Sequence, residues 1–140
     1  MPTLPPFARS FVAVMAGMVV AVTIVSVCDR VAGTLHPLPA GFDMGDMAQV
    51  RAHAEAAPVS AMLMVLVGWI LAPFAGGLVA SRVAARSRRQ YAWIIAGVLL
   101  AATLANLRAI PHPAWMVVGA LIGVPAAGWL AARLAPSDER

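Results

Sequence analysis

The residues that could carry chemistry are three histidines and three aspartates. They are His36, His53, His112, Asp29, Asp43 and Asp46. Imidazole and carboxylate groups bind zinc, but a zinc site needs about four such ligands in a tetrahedral array. None of these residues has the spacing of an H-E-x-x-H helix, so we expect no metal, cofactor or catalytic residue. A membrane enzyme or metal site built from His36, His112 and Asp29 is kept as an alternative.

Neutral polar residues form a second group inside two apolar stretches. Thr23 and Ser26 lie three residues apart, as do Thr103 and Asn106, so each pair shares one helical face. Arg30 and Arg108 follow the two pairs. The first interpretation is hydrogen bonding between helices or to the local helix backbone. The alternative is a polar track for permeation or ligand binding.

Composition decides which elements position these residues. The chain has 140 residues, of which 61% are apolar and 11% charged, and its mean hydropathy is +0.84. Soluble domains are about 45–50% apolar and about 25% charged. All ten basic residues are arginines, and they form no long stripe. These values exclude a soluble enzyme and a nucleic-acid binder, and they indicate a polytopic membrane protein.

Four stretches are long and apolar enough to cross a bilayer, since a spanning helix needs about 20 apolar residues. They cover about 11–28, 59–83, 91–107 and 114–134. Lipid offers no partner for free backbone groups, which favours helices. The sequence therefore predicts an all-α fold, with residues 1–140 forming one membrane domain of four transmembrane helices.

The arginines predict the orientation. One side of the predicted membrane carries Arg9, Arg82, Arg86, Arg88, Arg89, Arg133 and Arg140; the other carries Arg30, Arg51 and Arg108 with four acidic residues. The positive-inside rule places both termini in the cytoplasm. The link with Arg82, Arg86, Arg88 and Arg89 is expected to meet lipid phosphates. The absence of Lys and the abundance of Ala, Arg, Gly and Val suggest a bacterial inner membrane.

Two segments match at an offset of 80 residues. Both 16–23 and 96–103 read A-G-x-x-x-A-x-T. In the second helix of each half, Gly and Ala follow Pro73 and Pro125 at the same intervals. We interpret this as a duplication, with repeat 1 at about 9–86 and repeat 2 at about 89–135. It predicts two antiparallel hairpins related by a parallel pseudo-twofold axis. Chance similarity between Ala/Gly-rich helices is the alternative.

Small residues at four-residue spacing indicate where the helices pack, because close backbone approach replaces the hydrophobic effect in lipid. The expected packing positions are Gly68, Ala72, Gly76, Ala80, Gly97, Gly119 and Gly123. A strip left unused inside the chain would support a homo-oligomer or a larger membrane complex.

The loop between the first two spans contains a short helix signal at 46–56. Asp46 can cap this helix with Gln49 at the matching position. Met47, Val50 and Ala54 then share one face. We expect a small amphipathic helix on the outer surface or in the headgroups.

Two loop motifs resemble a known pattern. His36-Pro-Leu-Pro-Ala-Gly-Phe-Asp43 and Ile110-Pro-His-Pro-Ala-Trp115 look like motifs of small four-span bacterial membrane proteins of unassigned role. The resemblance covers most of the chain and implies the four-span topology, without an activity.

These observations rank three functions. The first is a structural or accessory protein that acts by associating in the membrane, because no predicted span has a charge in its middle and coupled transporters usually need one. The second is a minimal transporter or channel lined by Thr23, Ser26, Thr103 and Asn106. The third is the membrane enzyme or metal site described above.

Overall fold

The chain forms five helices within the residues that the structure, a computed structural model, describes, which are 5–136. They are α1 (Pro6–Leu35), α2 (Met47–Glu55), α3 (Val59–Val83), α4 (Arg88–Ala109) and α5 (Ala114–Leu134). The four long helices are long and apolar enough to cross a membrane. The predictions of an all-α fold and of a multi-pass membrane protein are confirmed at this level. Arg140 lies outside the described residues.

A proline immediately precedes three of the long helices. Pro5, Pro58 and Pro113 are the residues immediately before α1, α3 and α5. Proline's fixed φ suits a helix start, where an amide N–H has no partner within the helix. Pro73 and Pro125 lie inside α3 and α5, which continue through them.

Helix α1 is longer than the sequence predicted. It has 30 residues, which corresponds to about 45 Å, whereas the hydrocarbon core is about 30 Å thick. The predicted span ended at Cys28, but the helix continues to Leu35. Asp29 and Arg30 are therefore part of the helix and do not mark its end, because a charge lowers local hydropathy without breaking the backbone hydrogen bonds.

Helix α3 is the centre of the bundle. It packs against α1, α4 and α5, and its interface with α1 is the most extensive. Helix α4 also packs against α5 and touches α1 slightly, whereas α1 and α5 do not meet within residues 5–136. A pseudo-twofold axis would exchange α1 with α4 and α3 with α5, so the contact between α3 and α4 should be repeated between α5 and α1. That second contact is absent from residues 5–136. The pseudo-twofold repeat stays a prediction.

Small residues form the interface between α1 and α3. Ala13, Gly17 and Ala21 of α1 are buried. So is the predicted strip of α3, formed by Gly68, Ala72, Gly76 and Ala80. A Cβ placed on Gly68 would lie 2.8 Å from Cβ of Cys28, and one on Gly17 would lie 2.8 Å from Cβ of Ala80. Residues later in α1 therefore contact residues earlier in α3.

Larger side chains fill the space beside α5. A Cβ on Gly119 or Gly123 would meet side-chain atoms of Leu66 or Ile70 at 3.0 and 2.6 Å. Leu66 belongs to an apolar core shared by α3 and α5, which also contains Trp69, Met116, Ala120 and Val124. Side chains of α3 thus pack directly against Gly119 and Gly123.

Gly97 was expected to pack in the same way, and the structure differs. It is exposed, and a Cβ added to it would meet no atom within 4 Å. The α4 residues that pack inward are Ala92, Ile95, Ala96 and Thr103. Four-residue spacing identified a small-residue face of α4, but that face points away from the other helices of the chain.

The two ends of the bundle differ in chemistry. We call the end where α1 and α4 finish and α3 and α5 begin the histidine end, and the opposite end the arginine end. At the arginine end, Nε of Arg9 donates to the backbone oxygen of Val83 at 2.9 Å. The Tyr91 hydroxyl donates to Oγ of Ser10 at 2.6 Å. These hydrogen bonds join the start of α1 to α3 and α4.

Candidate functional site

A cavity of about 280 Å³ lies at the histidine end. All five helices or their adjoining loops contribute to its wall. The ionisable and amide residues that line it are Asp29, His36, His53, Asn106 and His112. We call this space the histidine-end cavity. It brings together the Asp29, His36 and His112 of the predicted third function, and it adds His53 and Asn106.

Asp29 is exposed, and it lies on the wall of the histidine-end cavity. It follows Cys28, whose side chain packs against Gly68. Gly68 is about 13 Å along α3 from its first residue, and Asp29 is about 9 Å before the end of α1. Among the described residues, Asp29 has no hydrogen bond or ion pair. An unpaired carboxyl group on the wall of a cavity is a candidate for ligand binding.

His36 and His53 hold helix α2 against the bundle. Nε2 of His36 lies 3.0 Å from the backbone oxygen of His53, as a donor in the tautomer protonated there. The two rings stack with centroids 3.9 Å apart, and Phe42 contacts His53 edge-on at 5.3 Å. The backbone of helix α2 does not pack closely against another helix within residues 5–136. The position of α2 therefore depends on these ring contacts and the chain around them.

The surroundings of His53 affect its protonation. Partial burial lowers the pKa of His53, and the adjacent His36 ring lowers it further, against a smaller opposing effect of a hydrogen bond with the His36 backbone. The neutral imidazole is thus the form that suits the stacked arrangement.

Helix α2 has the N-terminal cap that the sequence predicted. Oδ1 of Asp46 accepts from the backbone N–H of Ala48 at 2.9 Å and of Gln49 at 3.4 Å. The Gln49 side chain donates to Oδ2 at 3.0 Å. These hydrogen bonds, that of the Gln49 side chain first, lower the pKa of Asp46. The helix has no buried residue, so it lies on the surface of the bundle.

The third histidine is fixed by its own loop. Nδ1 of His112 lies 2.8 Å from the backbone oxygen of Ile110, and its ring centroid is 5.5 Å from that of Trp69. No group of three or more His, Cys, Asp or Glu side chains in the described part of the chain is placed to hold a metal ion. The histidines therefore position loops and α2, and their arrangement gives no support to a zinc site.

A second space of about 290 Å³ runs between α1 and α4, with Trp69 and Ala72 of α3 at its base. Its rim includes Val22 and Val98, which are exposed, so it opens on the side of the bundle. We call it the lateral groove. Its wall is mostly apolar, with Ser26, Thr103 and Asn106 as the polar residues.

Three of the four polar residues of the predicted track therefore line one space. Thr103 is buried, whereas Ser26 and Asn106 are exposed within it. Thr23 is not part of the lining: it is exposed, and its hydroxyl donates to the backbone oxygen of Val19 at 2.7 Å. Thr23 thus follows the first interpretation, a hydrogen bond to the backbone of its own helix, and it does not join the other three residues.

Trp69 and Asn106 line both the histidine-end cavity and the lateral groove. The two spaces therefore adjoin at these residues. Sequence analysis did not single out Trp69, since an aromatic residue within an apolar span is ordinary core. It also omitted Gly17 of α1, although Ala13, Gly17 and Ala21 carry the four-residue spacing that would have identified that face.

The predicted lipid-phosphate arginines lie at the arginine end. Arg82, Arg86 and Arg89 are exposed, and Nε of Arg88 donates to the backbone oxygen of Ala84 at 3.3 Å. At the other end, Arg30 and Arg108 are exposed and are not part of the wall of the histidine-end cavity. The ionisable lining of that cavity is thus one carboxyl group and three imidazoles.

Comparison with protein-family models, curated proteins and solved structures finds no match.

Proposed function

We propose that this chain is a small accessory protein of a bacterial inner membrane, with cytoplasmic termini, that acts by associating through the exposed face of α4. The observation that carries the proposal is a row of three small residues on that face. Gly97, Ala101 and Ala105 follow one another at four-residue spacing, and all three are exposed. Small residues in this pattern let a second helix approach closely in lipid.

The other small-residue strips are already used within the chain. Gly76 faces Gly17, Gly119 faces Leu66, and Gly128 faces Ala96. Gly97 differs, because nothing in residues 5–136 lies within 4 Å of its added Cβ. The α4 face is therefore free for a second copy or for a helix of a larger membrane complex.

Crosslinking in native membranes tests the proposal. We expect the wild-type chain to form crosslinked dimers or a larger adduct, and Ala101→Leu to reduce the adduct at least fivefold. Ala126→Leu is the matched control, since Ala126 is exposed on α5. A wild-type chain that stays monomeric without a partner would count decisively against this function.

The proposal includes the repeat suggested by the sequence. Two antiparallel hairpins, from about 9–86 and 89–135, would have arisen by duplication. Helices that continue through Pro73 and Pro125 support this. If the halves are duplicates, the unequal contacts around α3 mean that their packing has since diverged.

A minimal transporter or channel is the second candidate. It is favoured by one observation: Ser26, Thr103 and Asn106 share the lateral groove, which adjoins the histidine-end cavity. The groove opens sideways, which suits entry from lipid better than a closed pore. Flux measurements in liposomes test this candidate, and flux that is absent, or unchanged in Asn106→Leu, would remove it.

A further inference from the structure

We propose that the histidine-end cavity and the lateral groove together bind one amphiphile with an ammonium head and an apolar chain. The head would lie beside Asp29, and the chain would lie in the groove between α1 and α4. The two spaces adjoin at Trp69 and Asn106, which line both. A single molecule can therefore occupy polar and apolar surroundings at once.

The charged residues of the histidine-end cavity indicate that the ligand has a cationic head group. Asp29 is an exposed carboxyl group on the cavity wall, with no hydrogen bond or ion pair among residues 5–136. An ammonium group beside it would form a charge-assisted hydrogen bond with this carboxylate. Trp69 adds an aromatic ring to the same wall, and tryptophan is the best of the aromatic residues at attracting ammonium groups.

An anionic head fits the cavity poorly. Arg30 and Arg108 are absent from its lining, and the hydrogen bonds at His36 and His112 already use one ring nitrogen of each. A bare metal ion also fits poorly, because the described residues provide no group of three or more ligands. An organic cation needs no such array, since one carboxyl group and an aromatic surface recognise it.

The lining of the lateral groove indicates that the ligand has an apolar chain. Met18, Val22, Val98 and Leu99 form apolar parts of its wall. Its volume of about 290 Å³ is near the lower end of the range of about 300–1,000 Å³ for ligand pockets. An apolar cavity of about 150 Å³ already admits benzene. The exposed rim at Val22 and Val98 lets a chain enter from the lipid.

This site is separate from the proposed association face. The groove is lined by Val98, Ala102 and Asn106 of α4, whereas the association face carries Gly97, Ala101 and Ala105. At 100° per residue these two sets form adjacent faces of α4. Asp29→Asn changes a residue of α1, so it tests ligand binding without altering the association face.

Native mass spectrometry of the purified chain, released from a non-ionic detergent, tests the proposal. The probes are dodecylamine and dodecanoate, which match in chain length and differ in charge. We expect a one-to-one dodecylamine complex and at least tenfold weaker dodecanoate binding. Asp29→Asn should weaken dodecylamine binding at least tenfold. Glu55→Gln is the control, since Glu55, like Asp29, is an exposed acid but is not part of the cavity wall.

A second variant tests the groove without changing the charge. Ala102→Phe places a ring in the groove, so we expect it to weaken dodecylamine binding at least fivefold and to leave the weaker binding of butylamine unchanged. Equal binding of both twelve-carbon probes, or full dodecylamine binding by Asp29→Asn, would overturn the proposal. So would the same loss of both amines in Ala102→Phe.

The source of the amphiphile is resolved by a lipid arm of the same measurement. The chain is incubated with phosphatidylethanolamine or with phosphatidylglycerol of the same acyl length. Retention of the first and not the second, abolished by Asp29→Asn, identifies a membrane lipid as the occupant. Binding of dodecylamine without retention of either lipid identifies a free amphiphile. Failure of dodecylamine and of phosphatidylethanolamine together would refute the site.

Discussion

Gly17 of α1 and Gly76 of α3 lie so close together that neither can carry a side chain in this arrangement. A Cβ on Gly17 would lie 2.6 Å from the backbone oxygen of Gly76, and a Cβ on Gly76 would lie 2.6 Å from that of Gly17. The obstacle in each case is backbone, which cannot rotate away as a side chain can. The absence of two Cβ atoms therefore sets the separation of α1 and α3.

Gly17→Ala is expected to destabilise the bundle by about 1–3 kcal/mol, the usual cost of inserting a group into a well-packed interior. The measurement is unfolding in mixed micelles, followed by tryptophan fluorescence. Gly97→Ala is the control, because nothing lies within 4 Å of its added Cβ, and alanine favours a helix over glycine by about 1 kcal/mol. Equal losses in both variants would contradict this account of the interface.

Tyr91→Phe is expected to reduce stability by about 1 kcal/mol, the net value of a typical hydrogen bond. The change removes the 2.6 Å hydrogen bond to Ser10, which joins α4 to α1. In a double-mutant cycle with Ser10→Ala, the second change should cost little once the first is made. Additive losses would show that the two hydroxyl groups do not act as a pair.

Acidification is expected to release α2 from the histidine end. The pKa of His53 is lowered in the folded chain, so the released form binds the proton more tightly than the docked form. Docking is therefore strongest above the ordinary histidine pKa of about 6.5. It weakens as the pH falls below that value towards the lowered pKa of the docked state.

Hydrogen exchange of the α2 amides checks this prediction. Exchange, corrected for its intrinsic pH dependence, should accelerate between about pH 7 and pH 5. His36→Ala should show fast exchange throughout, because it removes the stacked ring and its hydrogen bond. Protection that is independent of pH, or equal protection in His36→Ala, would disprove the role given to the two rings.

Cysteine labelling is expected to place the arginine end in the cytoplasm. The chain has one cysteine, and Cys28 is buried, so Cys28→Ala gives a clean background. Met44→Cys and Ala85→Cys then mark exposed positions at the histidine and arginine ends. In intact cells, an impermeant maleimide should label Met44→Cys alone. The reverse pattern would invert the orientation that the arginines predict.

The sequence predicted the features that depend on local composition. Hydropathy identified the four long helices, and Asp46 with Gln49 identified the start of α2. It missed the true end of α1, since the charge of Asp29 interrupts the apolar pattern without ending the helix. Four-residue spacing marked the small faces of α3 and α4 alike. It could not show that α3 uses its face within the chain and that Gly97 does not, because spacing defines a face but not its partner.

The candidate site was only partly predictable for the same reason. Ser26, Thr103 and Asn106 line one groove, whereas Thr23 bonds to Val19 of its own helix. The link between the groove and the histidine-end cavity passes through Trp69, which belongs to a third helix. Which residues of three helices lie next to one another depends on how the helices are rotated relative to each other. The sequence of one helix does not specify that rotation.

The central position of α3 has a consequence for biogenesis. Its largest interface is with α1, and both helices emerge from the ribosome before α4 and α5. Since chains begin to fold from the N-terminus during synthesis, this pair can assemble while the remainder is still being translated. Each later helix then docks laterally onto a surface that already exists, in the order in which it is made.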